Sequence, residues 1–308
     1  MATLGDMIDE VTLNLAGYTL LQDSATHITA AVPITASTSA VPVLLYLGSS
    51  ADVGKGVLEI DEELFWIDSF DRLGNTATVS PYGRGYLGTT AATHAVDTKV
   101  TIAPTFPRFV IKRAINDTIT AIGSSLLATG STTITSSSSV TAYRLPTTGS
   151  TLNVRNILSI AYEQVGASDE WIPIRKWRLD LNANATAFTS GQSVSIYDAI
   201  PSGRTIQIVY AKEPTAFTAN TETFTTQTGL PESCKDLVIL GATYRLLSNL
   251  DPARASMVSP QADEVDSKRP YGSSQSATKQ IYALFNQRLN EEIKKMQTKF
   301  PIRARWSV

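Results

Sequence analysis

The chain is short of the residues on which most metal sites and disulfide-stapled folds are built. Its 308 residues include one cysteine, Cys234, and two histidines, His27 and His94. A structural zinc site takes about four Cys or His ligands, and a zincin takes two histidines on one helix. Neither can be assembled, and a single thiol cannot close a disulfide within the chain. Charge is also sparse. Asp, Glu, Lys and Arg make up 18% of the residues, with 26 basic side chains against 28 acidic ones and a net charge of −2. That balance lacks the concentrated basic patch of a protein that reads nucleic-acid sequence. There is no run of about 18 apolar residues, and the opening MATLGDMIDE is acidic, without a signal-peptide core. The expectation is a soluble protein with no membrane partner and no recognisable export signal.

Hydroxyl side chains are plentiful. The chain carries 38 Thr and 30 Ser, 68 of 308 residues, so its polarity comes from hydroxyls more than from ions. That composition suits β-rich surfaces. The length allows roughly two domains, each able to bury a core. Charge is mildly asymmetric: residues 1–231 hold 14 basic and 20 acidic side chains, and residues 232–308 hold 12 and 8.

Hydrophobic periodicity predicts four helices, over 3–15, 106–128, 231–250 and 277–299. Leu4, Met7, Ile8, Val11 and Leu15 recur at helical spacing behind Thr3, a plausible N-cap. Ile111, Ile115, Ile119, Ile122 and Leu126 mark one face of the second, which Gly130 is expected to stop. Pro231 opens the third, with Leu237, Leu240, Tyr244 and Leu247 as its stripe. The last carries Ile281, Phe285, Leu289, Ile293 and Met296, with Glu291 and Lys295 in the favourable i,i+4 order. Short strands separated by Gly, Asp and Asn turns fall between these helices: VPVLLYL, GVLEI, ELFWIDSF, NTATVS and TKVTIA, then VTAYRLP, NILSIAYEQV, EWIPIRKW, SVSIYD and RTIQIVYAKE. Residues 131–139, STTITSSSS, read as an exposed loop or linker, and residues 259–276 as a further loop.

The fold class is therefore α+β. A discontinuous core of about four helices, from 1–30, 105–130 and 231–299, carries two inserted antiparallel β-modules. The first, 31–104, is small and barrel-like; the second, 131–230, is a sandwich or barrel. Helices with one apolar face need one another to bury it, which favours this plan over a string of independent domains. Residues 300–308 form a C-terminal arm in which Phe300, Ile302 and Trp306 are interleaved with Arg303 and Arg305 after a helix-breaking proline, a composition suited to docking on a partner.

No catalytic constellation emerges. Asp61, Glu62 and Glu63 lie together, but neighbouring strand residues point to opposite faces, and a solvated strand edge explains them. His94 sits among small residues, without a G-x-S-x-G, and is expected to make a structural hydrogen bond in a turn. GRGYLG matches G-x-G-x-x-G literally, yet a turn and a strand follow it instead of a helix, so Gly83, Gly85 and Gly88 are expected to shape a tight loop. Cys234 lies on the first turn of a helix, where the dipole can lower a thiol pKa. A buried or idle thiol is the expectation. No cofactor is implied.

Residues 57–102, VLEIDEELFWIDSFDRLGNTATVSPYGRGYLGTTAATHAVDTKVTI, resemble a small β-module recurrent in structural proteins of tailed bacteriophages. The resemblance rests on Glu59 to Glu63, Phe65 and Trp66, Arg84-Gly85, Gly88-Thr89, Ala91-Ala92, His94 and Val100. Val96-Asp97 stands where a small residue and Gly are usual. The helices around β insertions, the segment LPESCKDLVILGATYRLLSNLDPARA and the terminal arm resemble head-to-tail connector, or adaptor, proteins of the phage neck. That resemblance implies a non-enzymatic virion protein assembled in the host cytoplasm. It implies a ring, commonly of twelve copies, that joins the portal protein to tail or nozzle proteins and lets DNA pass without specific binding. It places Phe300, Ile302, Arg303, Arg305 and Trp306 against the portal, and makes Arg84, Gly85, Gly88, Thr89 and His94 the structural signature of the β-module. A tail-tube, tail-tip or receptor-facing β-rich protein is the alternative.

Overall fold

The computed structural model of the chain describes residues 2–19, 23–33, 43–49, 52–145, 154–164, 170–248 and 273–300. Apolar periodicity sets the helices. α1 (Leu4–Thr19), α2 (Arg108–Ile122), α4 (Lys235–Ser248) and α5 (Ser273–Lys299) fall where the stripes predict them. The short α3 (Phe224–Thr228) lies in a Thr-rich stretch that carries no stripe. The fold is α+β with antiparallel sheets throughout. Two units are defined by their internal contacts. One comprises Gly5–Ile115 and Ile239–Tyr282; the other comprises Met1–Leu4, Asn116–Val238 and Ala283–Val308. α1, α2, α4 and α5 each supply residues to both.

The first unit holds a six-stranded sheet: β1 (Ser24–His27), β2 (Val43–Tyr46), β3 (Gly56–Ile60), β4 (Glu63–Asp71), β5 (Thr76–Arg84) and β6 (Lys99–Ile102). The strand order is β1-β6-β3-β4-β5-β2. Its two edges meet at one end, where Ile28 bridges Leu47, Thr29 N–H donates to the Tyr46 carbonyl at 2.8 Å and Gly48 N–H donates to that of His27 at 2.9 Å. The sheet thus curls round a core that includes Ile28, Leu45, Leu58, Ile60, Phe65, Ile67, Val79 and Val100. Each such side chain contributes about 1.5–3 kcal/mol on burial. Here the barrel-like expectation meets a sheet closed at one end, and it takes in β1, which the sequence had left in the segment before residue 31.

The second unit is a sandwich. A four-stranded sheet, β10-β9-β13-β7, comprises β7 (Ala128–Thr135), β9 (Val154–Glu163), β10 (Trp171–Pro173) and β13 (Thr205–Lys212). A three-stranded sheet, β11-β12-β8, comprises β8 (Ala142–Arg144), β11 (Trp177–Asp180) and β12 (Ser193–Ile196). One apolar cluster joins them: Ile134, Ile157, Ile160, Ile206, Ile208 and Tyr210 from the first sheet, and Val194 and Ile196 from the second. The segment EWIPIRKW divides between the sheets. At its corner the Asp198 carboxylate accepts the N–H groups of Arg175 and Lys176 at 2.7 and 3.1 Å.

The structure corrects several boundaries. Helix α2 stops at Ile122, not near residue 128, and Gly130 is no helix stop. Gly130 lies within β7, where a Cβ would come within 2.8 Å of the Tyr210 ring. The stretch 131–139 is not a linker over its first half, because Ser131–Thr135 complete β7 and pair with β13. Threonine favours the pleated conformation, and Ile134 alone supplies the inward apolar anchor. On α5 the buried position of the second half is Glu292, and Lys295 bonds to Glu292 at 2.5 Å instead of Glu291. The loop expected over 259–276 lies largely outside the described residues.

Candidate functional site

The signature residues of the six-stranded unit converge on one carboxylate. A two-residue turn, Asp61-Glu62, links β3 to β4, with Asp61 in the left-handed region at φ 56°. It delivers Glu63 to the first position of β4, where the side chain is fully buried. Arg84, at the end of β5, meets it in a two-pronged ion pair: Nε to Oε1 at 2.9 Å and Nη2 to Oε2 at 2.8 Å. Two further N–H groups of Arg84 reach backbone, with Nη1 on the Pro33 carbonyl at 2.7 Å and Nη2 on that of Ala92 at 2.5 Å. Its guanidinium lies 5.1 Å from the centroid of Phe65, whose ring meets His94 edge-on.

His94 closes the network. Its Nε2 lies 2.9 Å from Glu63 Oε2 and its Nδ1 2.7 Å from Asp61 Oδ2. A neutral imidazole has one donor and one acceptor nitrogen; only the imidazolium donates to both carboxylates. Burial by itself would lower the pKa of His94, but the bonds to Asp61 and Glu63 outweigh it and raise the value to about 8. For Glu63, burial pushes the pKa up, yet the bonds from Arg84, His94 and the Ala92 N–H hold it down at about 2. Each oxygen of Glu63 takes at least two donors, counting Gly85 N–H at 3.2 Å and Ala92 N–H at 2.9 Å. The carboxylate anchors a loop and leaves no lone pair aimed at a reactant.

The loop itself is shaped by glycine and threonine. Gly85 has φ 62°, and a Cβ there would lie 2.7 Å from the Thr89 carbonyl oxygen. Gly88, at φ 82°, ends the 3₁₀ turn Tyr86–Gly88. Thr89 Oγ1 accepts from Leu64 N–H and donates to the Tyr86 carbonyl, each at 3.0 Å, tying the loop to β4. Arg84, Gly85, Thr89 and His94 thus meet round Glu63, with Gly88 in the same loop. A strand and not a helix follows the glycines, and the Gly85 N–H that a phosphate would need is already bonded to Glu63.

The residues Asp61, Glu62 and Glu63 do not form a solvated strand edge. Glu62 pairs with Lys112 on α2 at 3.1 Å, Asp61 serves His94, and Glu63 lies inside. A second buried carboxylate, Glu59, went unremarked as a site residue. It accepts the Arg108 N–H at the start of α2 at 2.6 Å, and burial, against that bond, raises its pKa to about 7. Cys234 is buried, and burial together with the Glu292 carboxylate pushes its thiol up to about 12, the reverse of activation by a helix terminus. Of the arm, Phe300 is half-buried, with Lys299 Nζ 5.4 Å from its ring centroid; Ile302, Arg303, Arg305 and Trp306 lie outside the described residues. No helix among the described residues is long and apolar enough to cross a membrane.

Residues 87–305 match the SU10 adaptor protein family, more than two thirds of the chain. The chain therefore belongs to the SU10 adaptor protein family, a structural adaptor family of tailed phages. No curated protein matches the chain.

Proposed function

We propose that this chain is a non-enzymatic neck protein of the phage particle, whose copies form a ring that joins the portal to the tail and surrounds the DNA channel. Membership of the adaptor family over residues 87–305 carries the reading. In it, α1, α2, α4 and α5 belong to a discontinuous helical core, 31–104 and 131–230 are β-modules inserted in its sequence, and the 300–308 arm docks on the portal through Phe300, Ile302, Arg303, Arg305 and Trp306. The ring holds twelve copies and is completed below by tail or nozzle proteins. Closed cyclic assembly uses two different faces of each subunit, so a protein with two unlike β units suits the role. A net charge of −2 supports a lining that DNA slides past, since a strongly basic wall would hold phosphates.

Antibody-gold labelling of purified particles tests this directly. Label at the head–tail junction is the expected result. Label at the distal end would replace the neck reading with a tail-tip one, and absence from both intact and disrupted particles would overturn a virion role. Deletion of 301–308 is expected to yield folded protein that no longer attaches to portal-bearing heads; retained attachment would remove the arm from the interface.

A further inference from the structure

Four carboxylates fall within five residues at the β3–β4 connection, Glu59, Asp61, Glu62 and Glu63, and they meet two different neighbours. Asp61 and Glu63 take the two ring nitrogens of His94, at 2.7 and 2.9 Å. Glu59 and Glu62 meet α2: Glu59 accepts the Arg108 N–H at 2.6 Å, and Glu62 pairs with Lys112 at 3.1 Å. The other charges close by are Arg84 on Glu63, Asp9 of α1 on Arg108, and Asp23, which faces Glu59 from ahead of β1. The turn Asp61-Glu62 thus sits between a histidine of the sheet and a lysine of the helix.

Two groups here are buried and change charge in neighbouring ranges. Glu59 ionises as pH rises through about 7, and His94 loses its second proton through about 8. A neutral imidazole keeps one N–H. Glu63 is fully buried and has no water to turn to, so it retains that N–H at Nε2. The bare Nδ1 then faces Asp61 Oδ2, two acceptors 2.7 Å apart. Asp61 relieves the contact by swinging into solvent, to which its side chain is already 60% open. Ionised Glu59 places a second like charge beside Glu62 and pushes on the same turn. Asp61 holds a left-handed backbone, φ 56°, which a residue other than glycine keeps only while its surroundings fix it.

We propose that the Asp61-Glu62 turn is a proton-operated latch, held to the sheet while His94 is an imidazolium and Glu59 is neutral, and released when both protons are gone. Release is local. Glu63, held at about 2, stays ionised throughout and keeps its two-pronged bond with Arg84, so the loop from Gly85 to His94 remains in place.

NMR on the full chain at about pH 6 and about pH 9 tests the latch. The backbone order parameters of Asp61 and Glu62 are expected near 0.85 in acid and below about 0.6 in alkali, while Leu64 and Phe65 stay rigid. Rigid turn amides at the higher pH would overturn the proposal. Loss of order at Leu64 and Phe65 as well would also overturn it, since the unit would then open as a whole. The neutral His94 is expected as its Nε2–H tautomer; the Nδ1–H tautomer would leave Asp61 bonded and sink the mechanism. Asp61→Asn separates the proton from the fold. Its side-chain oxygen accepts from the imidazolium, and its NH2 donates to the bare Nδ1 of the neutral ring, so the turn should stay ordered at both pH values. Loosening of that variant to the same extent as the wild-type turn would show that the response arises elsewhere. Glu59→Gln removes the second charge and should delay release until His94 alone titrates; an unchanged midpoint would remove Glu59 from the latch.

Discussion

The six-stranded sheet and the sandwich fasten their loops by opposite means. In the six-stranded unit a charged clamp, Glu63, gathers Arg84, His94 and two backbone N–H groups. In the sandwich the equivalent clamp is neutral: Gln192, just before β12, accepts the Val154 N–H of β9 at 3.1 Å and donates to its carbonyl at 3.2 Å. The charged clamp fixes more groups in one geometry, but it is sound only while every member is present. A buried ion that loses its partner is far worse off than a buried amide that loses its own. The unit with the stronger-looking staple is therefore the one more easily broken by a single substitution.

The largest expected effect follows from that asymmetry. Glu63→Ala leaves Arg84 buried without its carboxylate and should destabilise the six-stranded unit by about 3–5 kcal/mol. Denaturant unfolding measures the loss, and hydrogen exchange should localise it to β3–β6 while the sandwich core amides stay protected. Replacing both partners, Glu63→Leu with Arg84→Met, should recover much of the loss, since an apolar pair of similar volume removes the stranded charge. Gln192→Ala comes next, at about 1–3 kcal/mol, because it strands the buried backbone groups of Val154 but no ion. A loss from Gln192→Ala equal to that from Glu63→Ala would show that charge is not what separates the two units.

The two units should also part company with pH. Glu63, held at about 2 in the folded chain against an ordinary 4.5, contributes stability that is complete above about pH 4.5 and lost as pH falls through 2. His94, raised from 6.5 to about 8, contributes stability complete below about 6.5 and lost as pH rises through 8. By the usual conversion the His94 contribution is about 2 kcal/mol. Glu59 acts in the same direction as His94 but earlier: its raised value of about 7 means that ionising it penalises the fold progressively from pH 4.5 through 7. The six-stranded unit is therefore expected to be most stable near pH 4.5. Glu59→Gln should flatten the decline between 4.5 and 7, and His94→Gln the decline between 6.5 and 8. A thermal-melt series across pH 3 to 9 would contradict this if the wild-type protein melted highest at pH 8.

How much of this could be read from the sequence differs between the same two regions. The strands from Gly56 to Ile102 were legible because alternation and turn residues mark them one by one. The network they support was only half legible. The signature picked out Arg84, Gly85, Gly88, Thr89 and His94 as site residues, but Glu63 entered it only as one of the acidic run Glu59 to Glu63, since nothing local distinguishes a carboxylate that will meet a guanidinium 21 residues later. In the sandwich, β7 was missed because a run of hydroxyl residues with one isoleucine has too little apolar signal to stand out from a linker; its strand state comes from β13, about 75 residues away. The helix end at Ile122 was misplaced for a related reason. Leu126 keeps the helical spacing and is buried, yet it sits beyond the last helical turn. Periodicity reports which side chains face inward and is silent on the backbone that carries them.

The smallest predicted effect sharpens the comparison most, because it separates charge from burial within a single network. Asp61 and Glu63 both accept a bond from His94, at 2.7 and 2.9 Å, but the Asp61 side chain is 60% exposed and that of Glu63 is not exposed at all. Water already solvates Asp61 and screens its pull on the imidazolium, so Asp61→Asn should reduce stability by less than about 1 kcal/mol. It should still lower the pKa of His94, readable from the ring proton shifts in an NMR titration, because an amide oxygen stabilises the imidazolium less than a carboxylate does. A stability loss no larger than the shift in that titration itself accounts for would place the anchoring of the loop in the buried Glu63–Arg84 pair. A stability loss comparable to that of Glu63→Ala would mean instead that the exposed turn at Asp61, with its left-handed backbone, holds the loop, and that the buried pair is its consequence.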